Sequence, residues 1–176
     1  MRLTTKLVGL LLFLSSTAMA QEVPRIEVFG GYSHLVANVN GTTSNVNGAT
    51  LAVGENLNKW FGGTLDFTSH WGTQAGYRVN TQTLMYGPVF SYRGVRNITP
   101  FGHVLMGFVR GSPGYLGVSQ SDKVFGAMLG GGVDIGFTRV VGIRLIQADY
   151  LMSRFLHTRQ DNIRLSAGIV LRFGGR

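Results

Sequence analysis

Apolar and polar side chains alternate along most of this chain, and the alternation is cleanest near its end. Over residues 162–173, Ile163, Leu165, Ala167, Ile169, Leu171 and Phe173 share one side. Arg164, Ser166, Gly168, Val170 and Arg172 share the other, where only Val170 is apolar. A period of two sends successive side chains to opposite faces of a strand, so one face meets an apolar medium and the other a polar one. Phe173 ends the apolar face with an aromatic ring, the residue type that settles at a lipid–water boundary. A strand bordering lipid must belong to an antiparallel sheet with no free edge.

The rest of the chain meets that demand. Strands are predicted near residues 25–34, 49–54, 60–68, 81–93, 100–109, 124–137, 141–151 and 162–173. In the first, Ile26, Val28, Gly30 and Tyr32 oppose Glu27, Phe29 and Ser33. Pro88 falls inside the fourth, where its missing N–H predicts a bulge or local distortion. The alternation over residues 100–109 is too broken to set a register. In residues 141–151, Gln147 and Asp149 are expected to share a face with Ile143 and Leu145. Arg144 would then point outward, tolerable near a turn where its guanidinium reaches water or headgroups.

Between these strands, residues 37–48, 69–80, 110–123 and 152–161 read as long loops from their Gly, Asn, Ser and Thr content. Residues 55–59, 94–99 and 138–140 read as short turns. Eight strands with loops long and short by turns predict an all-β fold, an eight-stranded antiparallel up-and-down transmembrane β-barrel. The short turns and both termini then lie on one side of the membrane and the long loops on the other.

Residues 1–20 stand apart. Arg2 and Lys6 precede an apolar run over residues 7–14, and Ala18-Met19-Ala20 offers a small-x-small cleavage site. We expect a cleaved export signal over 1–20 and a barrel domain over 21–176. The chain contains no cysteine, so disulfides cannot hold it. Its net charge is +8, which loss of Arg2 and Lys6 lowers to +6. The arginines are scattered, and export argues against nucleic acid as a partner. Anionic lipid, including lipopolysaccharide phosphate, is the expected counterpart.

Glu27, Asp66, Asp134, Arg93, Arg164 and Arg172 fall on the polar faces and so toward the lumen. A barrel of eight strands is filled by side chains, and buried opposite charges are expected to pair into a register-fixing network. Arg78, Arg154 and Arg159 lie in the predicted outer loops and are candidate lipopolysaccharide contacts, because guanidinium geometry matches phosphate. His34, His70, His103 and His157 lack metal-ligand spacing, and no cofactor, metal or catalytic site is predicted. Ser33 and His34 raise the alternative of a lipid-modifying barrel enzyme, but neighbours on a strand point to opposite faces. A soluble, exported lipocalin-like binder with its apolar face inward is a further alternative.

Several segments carry a resemblance. They are Phe29-Gly30-Gly31-Tyr32-Ser33, Asn58-Lys59-Trp60-Phe61-Gly62, Gly87-Pro88-Val89-Phe90-Ser91-Tyr92-Arg93, Gly130-Gly131-Gly132-Val133-Asp134 and Gly168-Ile169-Val170-Leu171-Arg172-Phe173-Gly174. Together they make the chain resemble the small OmpA-like outer-membrane β-barrel family of Gram-negative envelopes. The resemblance implies a monomer inserted by the barrel assembly machinery, surrounded by outer-membrane lipid and lipopolysaccharide. It also implies a structural or surface-interaction role through external loops, without a conducting pore. Three residues follow Phe173, so the aromatic ring is not strictly terminal.

Overall fold

The computed structural model describes residues 23–39, 42–74, 77–115, 118–119, 122–155 and 158–175. The expected export signal lies outside them. Among the described residues the fold is entirely β. Eight long strands form the barrel: β1 (Ile26–Val39), β2 (Thr42–Asn56), β3 (Phe61–Gln74), β4 (Tyr77–Ser91), β5 (Ile98–Tyr115), β7 (Asp122–Gly136), β8 (Val141–Phe155) and β9 (Thr158–Phe173). A two-residue strand, β6 (Val118–Ser119), pairs with the tip of β5. Each barrel strand pairs antiparallel with its sequence neighbour. Pairing of β1 with β9, from Ile26 opposite Phe173 to Asn38 opposite Asp161, closes the sheet. Closure removes the edges that lipid could not satisfy.

The outer face carries Leu51, Phe67, Leu84, Phe108, Phe125, Leu129, Ile169 and their neighbours, all exposed. Apart from Phe108, whose segment set no register, these are the side chains that alternation assigns to the apolar face. Trp60, Phe61 and Phe90 cluster at the end where the short turns lie, with ring centroids 5.3–6.1 Å apart. Two of those turns use one device. Asn58 Oδ1 accepts from the N–H groups of Trp60 (2.9 Å) and Phe61 (2.8 Å), and Thr138 Oγ1 accepts from Val140 (3.2 Å) and Val141 (2.8 Å). The side-chain oxygen satisfies backbone donors that a tight reversal strands.

Four sequence expectations change. The long loops are instead tall hairpins: β1 runs to Val39 and β2 starts at Thr42, with unbroken pairing between them. β3–β4 and β8–β9 do the same, up to Gln74 opposite Tyr77 and Phe155 opposite Thr158. Their polar composition reads as loop, yet backbone pairing needs no apolar face to continue. Second, Pro88 brings the local distortion expected of it but not a bulge. The β4–β5 ladder lapses at Gly87 and Pro88, but the register is the same at Tyr86–Met106 and at Val89–His103.

Third, β5 has a definite register: Thr99, His103, Leu105 and Val109 are buried inside while Val104, Met106 and Phe108 face out. Fourth, β8 contains a bulge. Its pairing shifts by one residue against both β7 and β9 between Arg144 and Gln147. Leu145 and Ile146 therefore both face outward, at 60% and 48% exposure. Arg144 turns inward on the same side as Gln147 and Asp149. A strict period of two cannot anticipate that extra residue.

Candidate functional site

The lumen is the densest polar feature of the described residues, and the strands build it in layers. At the short-turn end, Arg93 at the end of β4 reaches Glu27 on β1 at 3.4 Å. Arg172 on β9 reaches the other Glu27 oxygen at 3.2 Å. Arg93 also donates to Lys59 O and Asn56 Oδ1, tying the first short turn to the barrel wall. A Cβ on Gly136 would crowd the Arg172 guanidinium, so the glycine leaves that arginine its path.

The next layer centres on Arg144. Its Nε and Nη2 donate to the two carboxylate oxygens of Asp134 (2.8 and 3.0 Å), and Nη1 donates to Gln147 Oε1 (2.7 Å). The guanidinium lies between two rings, 4.3 Å from the Phe29 centroid and 4.1 Å from that of Phe101. A flat cation between two aromatic faces gains from both ring quadrupoles while its edge serves the carboxylate.

Above it, Arg164 spans the lumen as a strut. From β9 it donates two parallel bonds to Asp66 on β3 (2.7 and 3.0 Å) and one to Asp149 on β8 (2.8 Å). Asp149 also accepts from His103 Nε2 (2.7 Å) and Gln147 Nε2 (2.8 Å). A Cβ on Gly130 would run into the Asp149 carboxylate, which explains a glycine opposite it in the ladder. Arg164, Asp66 and Asp149 are all buried. Charges this deep persist only when paired and fully hydrogen-bonded.

Nearer the tall hairpins the lumen divides. On β1, β3 and β9, Ser166 Oγ donates to Ser33 Oγ (3.1 Å), and Ser33 shares a 2.9 Å bond with His70 Nε2. On β4, β5, β7 and β8, Met85, Leu105, Val109, Met128 and Leu151 form an apolar cluster. Ser33 thus meets His70 rather than the adjacent His34, which bonds to Asn47 at 2.8 Å. His70 Nδ1 has no partner among the described residues, and no carboxylate orients the ring as a catalytic base requires.

The six lumen candidates from the sequence thus lie in three ionic layers: Glu27, Arg93 and Arg172; Asp134; Asp66 and Arg164. Sequence reasoning missed Arg144, His103 and the Ser33–His70–Ser166 set. Arg144 was hidden by the bulge, and His103 by the irregular alternation of β5. His70 could have been found from its odd–even relation to Asp66 and Thr68 on β3. Of the candidate lipopolysaccharide contacts, Arg78 lies on β4, Arg154 on β8 and Arg159 on β9, and their side chains lie outside the described residues.

A closed antiparallel barrel with an apolar exterior, an aromatic rim and a packed ionic interior defines a transmembrane barrel of the outer membrane. The family described as outer membrane protein beta-barrel domain matches residues 7–173. This chain belongs to that family and is an outer-membrane protein. The barrel is similar to Neisserial surface protein A, with a TM-score of 0.75 and 15% identity, over 84% of this chain and 97% of that one. It is also similar to Ail, the attachment invasion locus protein of Yersinia pestis (TM-score 0.59, 18% identity, 84% and 98% covered). OprG of Pseudomonas aeruginosa gives a TM-score of 0.59 at 9% identity, with 88% and 98% covered. At such identities the likeness is one of fold. No curated protein sequence matches the chain.

Proposed function

We propose that this protein is a non-conducting, monomeric barrel that acts by contact through its tall outer hairpins, as a structural or surface-interaction protein of the outer membrane. One observation carries the reading: the lumen is filled by its own side chains in successive ionic and apolar layers. The cavity lined by Glu27, Phe29, Phe101 and Arg144 measures only about 40 Å³, room for a few waters. A barrel without a path through it has its outer surface left to work with.

The hairpins supply that surface. β1 continues for seven residues beyond the exposed Tyr32, which is roughly 20 Å of strand. In the β8–β9 hairpin, register sets Arg154 opposite Arg159. Two arginines at one ladder position suit phosphate or sulfate groups. Ail, of similar fold, is the attachment invasion locus protein of Yersinia pestis, and one of its structures holds the heparin analogue sucrose octasulfate. That supports polyanion contact as the kind of interaction, with lipopolysaccharide phosphate as the partner proposed for Arg78, Arg154 and Arg159. Arg154→Ala combined with Arg159→Ala is expected to weaken lipopolysaccharide binding while leaving the barrel folded. Exposed charge pairs contribute about 0–1 kcal/mol each, so the loss is modest and shrinks at high salt. Binding equal to wild type at low salt would remove these arginines from the account.

The buried Ser33–His70 pair does not favour an enzyme. Both side chains are at most 1% exposed, and neither presents an atom to a lipid substrate.

A further inference from the structure

The lipid-facing surface is not uniformly convex. At the short-turn end, a groove of about 340 Å³ runs along β4 and β5. Trp60, Phe90 and Tyr92 wall it, and Pro100 and Gly102 form its floor. Trp60 lies nearly parallel to Phe90, at 17° and 6.1 Å between centroids, so the wall is a continuous aromatic sheet. A Cβ on Gly102 would meet only Gly130 O, at 3.7 Å, so the groove exists because that position lacks a side chain. Its ladder neighbour Gly131 faces the same way and carries the low floor onto β7. Tyr92 packs over Gly94 at the start of the next turn, which brings its hydroxyl toward headgroup level.

Charge at the mouth of this groove is one-sided. Lys59 precedes Trp60 in the β2–β3 turn, and Arg96 lies in the turn that follows Tyr92; both are exposed. Among the described residues neither has an ion-pair partner. The two carboxylates at this end are already engaged, Glu27 by Arg93 and Arg172, and Glu55 by Arg25 at 3.6 Å. Apolar grooves bind alkyl chains, and unpaired cations at the membrane surface bind phosphate.

We infer that this groove and its two cations form a binding site for one anionic phospholipid of the periplasmic leaflet. One acyl chain lies along Trp60, Phe90 and Tyr92 over Gly102, and the phosphate sits between Lys59 and Arg96. The site lies at the opposite end of the barrel from the hairpins proposed above to meet lipopolysaccharide, and the two readings stand or fall separately.

The test uses the full-length protein in bilayer discs made with equal amounts of phosphatidylglycerol and phosphatidylcholine. Lipids retained on the protein are counted by native mass spectrometry after gentle release. Wild type is expected to keep one phosphatidylglycerol in preference to phosphatidylcholine. Lys59→Gln with Arg96→Gln should lower that preference roughly thirtyfold, two surface cations being lost. Gly102→Leu should fill the groove and remove the retained lipid of either kind. Should that variant fail to fold, the Lys59 and Arg96 substitutions decide alone, since both are exposed turn side chains. Equal retention of the two lipids by wild type would overturn the inference. So would an unchanged preference in the double variant, or a dimer whose contact covers Trp60 and Phe90.

Discussion

At the scale of single residues, the interior is organised by arginines that each bridge two or more strands. Arg164 joins β9 to β3 and β8, and no other side chain among the described residues reaches both Asp66 and Asp149. Arg164→Met would leave Asp66 buried without a counter-charge and Asp149 with only His103 and Gln147 as partners. Breaking a buried pair from one side costs about 3–5 kcal/mol. Chemical unfolding in lipid vesicles should show a loss of that order. Arg164→Lys should fall between, because a single ammonium cannot donate the fork that holds Asp66 together with the bond to Asp149. A loss under about 1 kcal/mol for Arg164→Met would mean the strut is ornamental to folding.

At the scale of strands, two predictions separate the lipid-facing reading from its alternatives. Leu165 faces outward on β9, and an arginine there should cost roughly 2–4 kcal/mol of refolding stability in lipid. Leu57→Arg, in a short turn outside the apolar band, should be nearly neutral and serves as the control. Equal effects at the two positions would contradict a bilayer around β9. The second prediction concerns the β8 bulge. Deleting Ile146 removes the extra residue, restores plain alternation and keeps Arg144 on the lumen side. The shortened protein should fold and keep its heat-modifiable migration on gels. Loss of folding on this deletion would contradict a single extra residue at this place in β8.

Most strands were legible because their environment is two-sided, with lipid on one face and packed polar side chains on the other. Period-two alternation records that difference directly, as in Leu165, Ile169 and Leu171 against Arg164, Ser166 and Arg172. It fails where polar residues occupy both parities, and residues 37–48 and 69–80 read as loops although Val46 and His70 lie buried within paired strands. It fails again where the count slips, as at Leu145 and Ile146. Over residues 100–109 of β5 a proline and two glycines interrupt the pattern, and His103 went unassigned with them. Ion-pair partners were not legible at all, since Asp66 and Arg164 meet across the lumen from strands three places apart around the barrel.

At the scale of the whole molecule, the layers described above stack into a continuous plug. Glu27 with its two arginines closes one end, Arg144 and Arg164 occupy the middle, and the Met85–Leu151 cluster packs beside the Ser33–His70 wall toward the hairpins. Arg93–Glu27 and Arg164–Asp66 bridge non-adjacent strands, while Arg144 pairs with Asp134 on the neighbouring strand and packs on Phe29 and Phe101, so moving any of these ionic layers aside would break an ion pair inside the lumen. A barrel so filled supports the proposal that the protein acts at its surfaces rather than as a channel. Recordings of purified protein in a planar bilayer test this most directly. No steady unitary conductance above the bare membrane is expected, and large, stable single-channel currents would contradict a filled lumen.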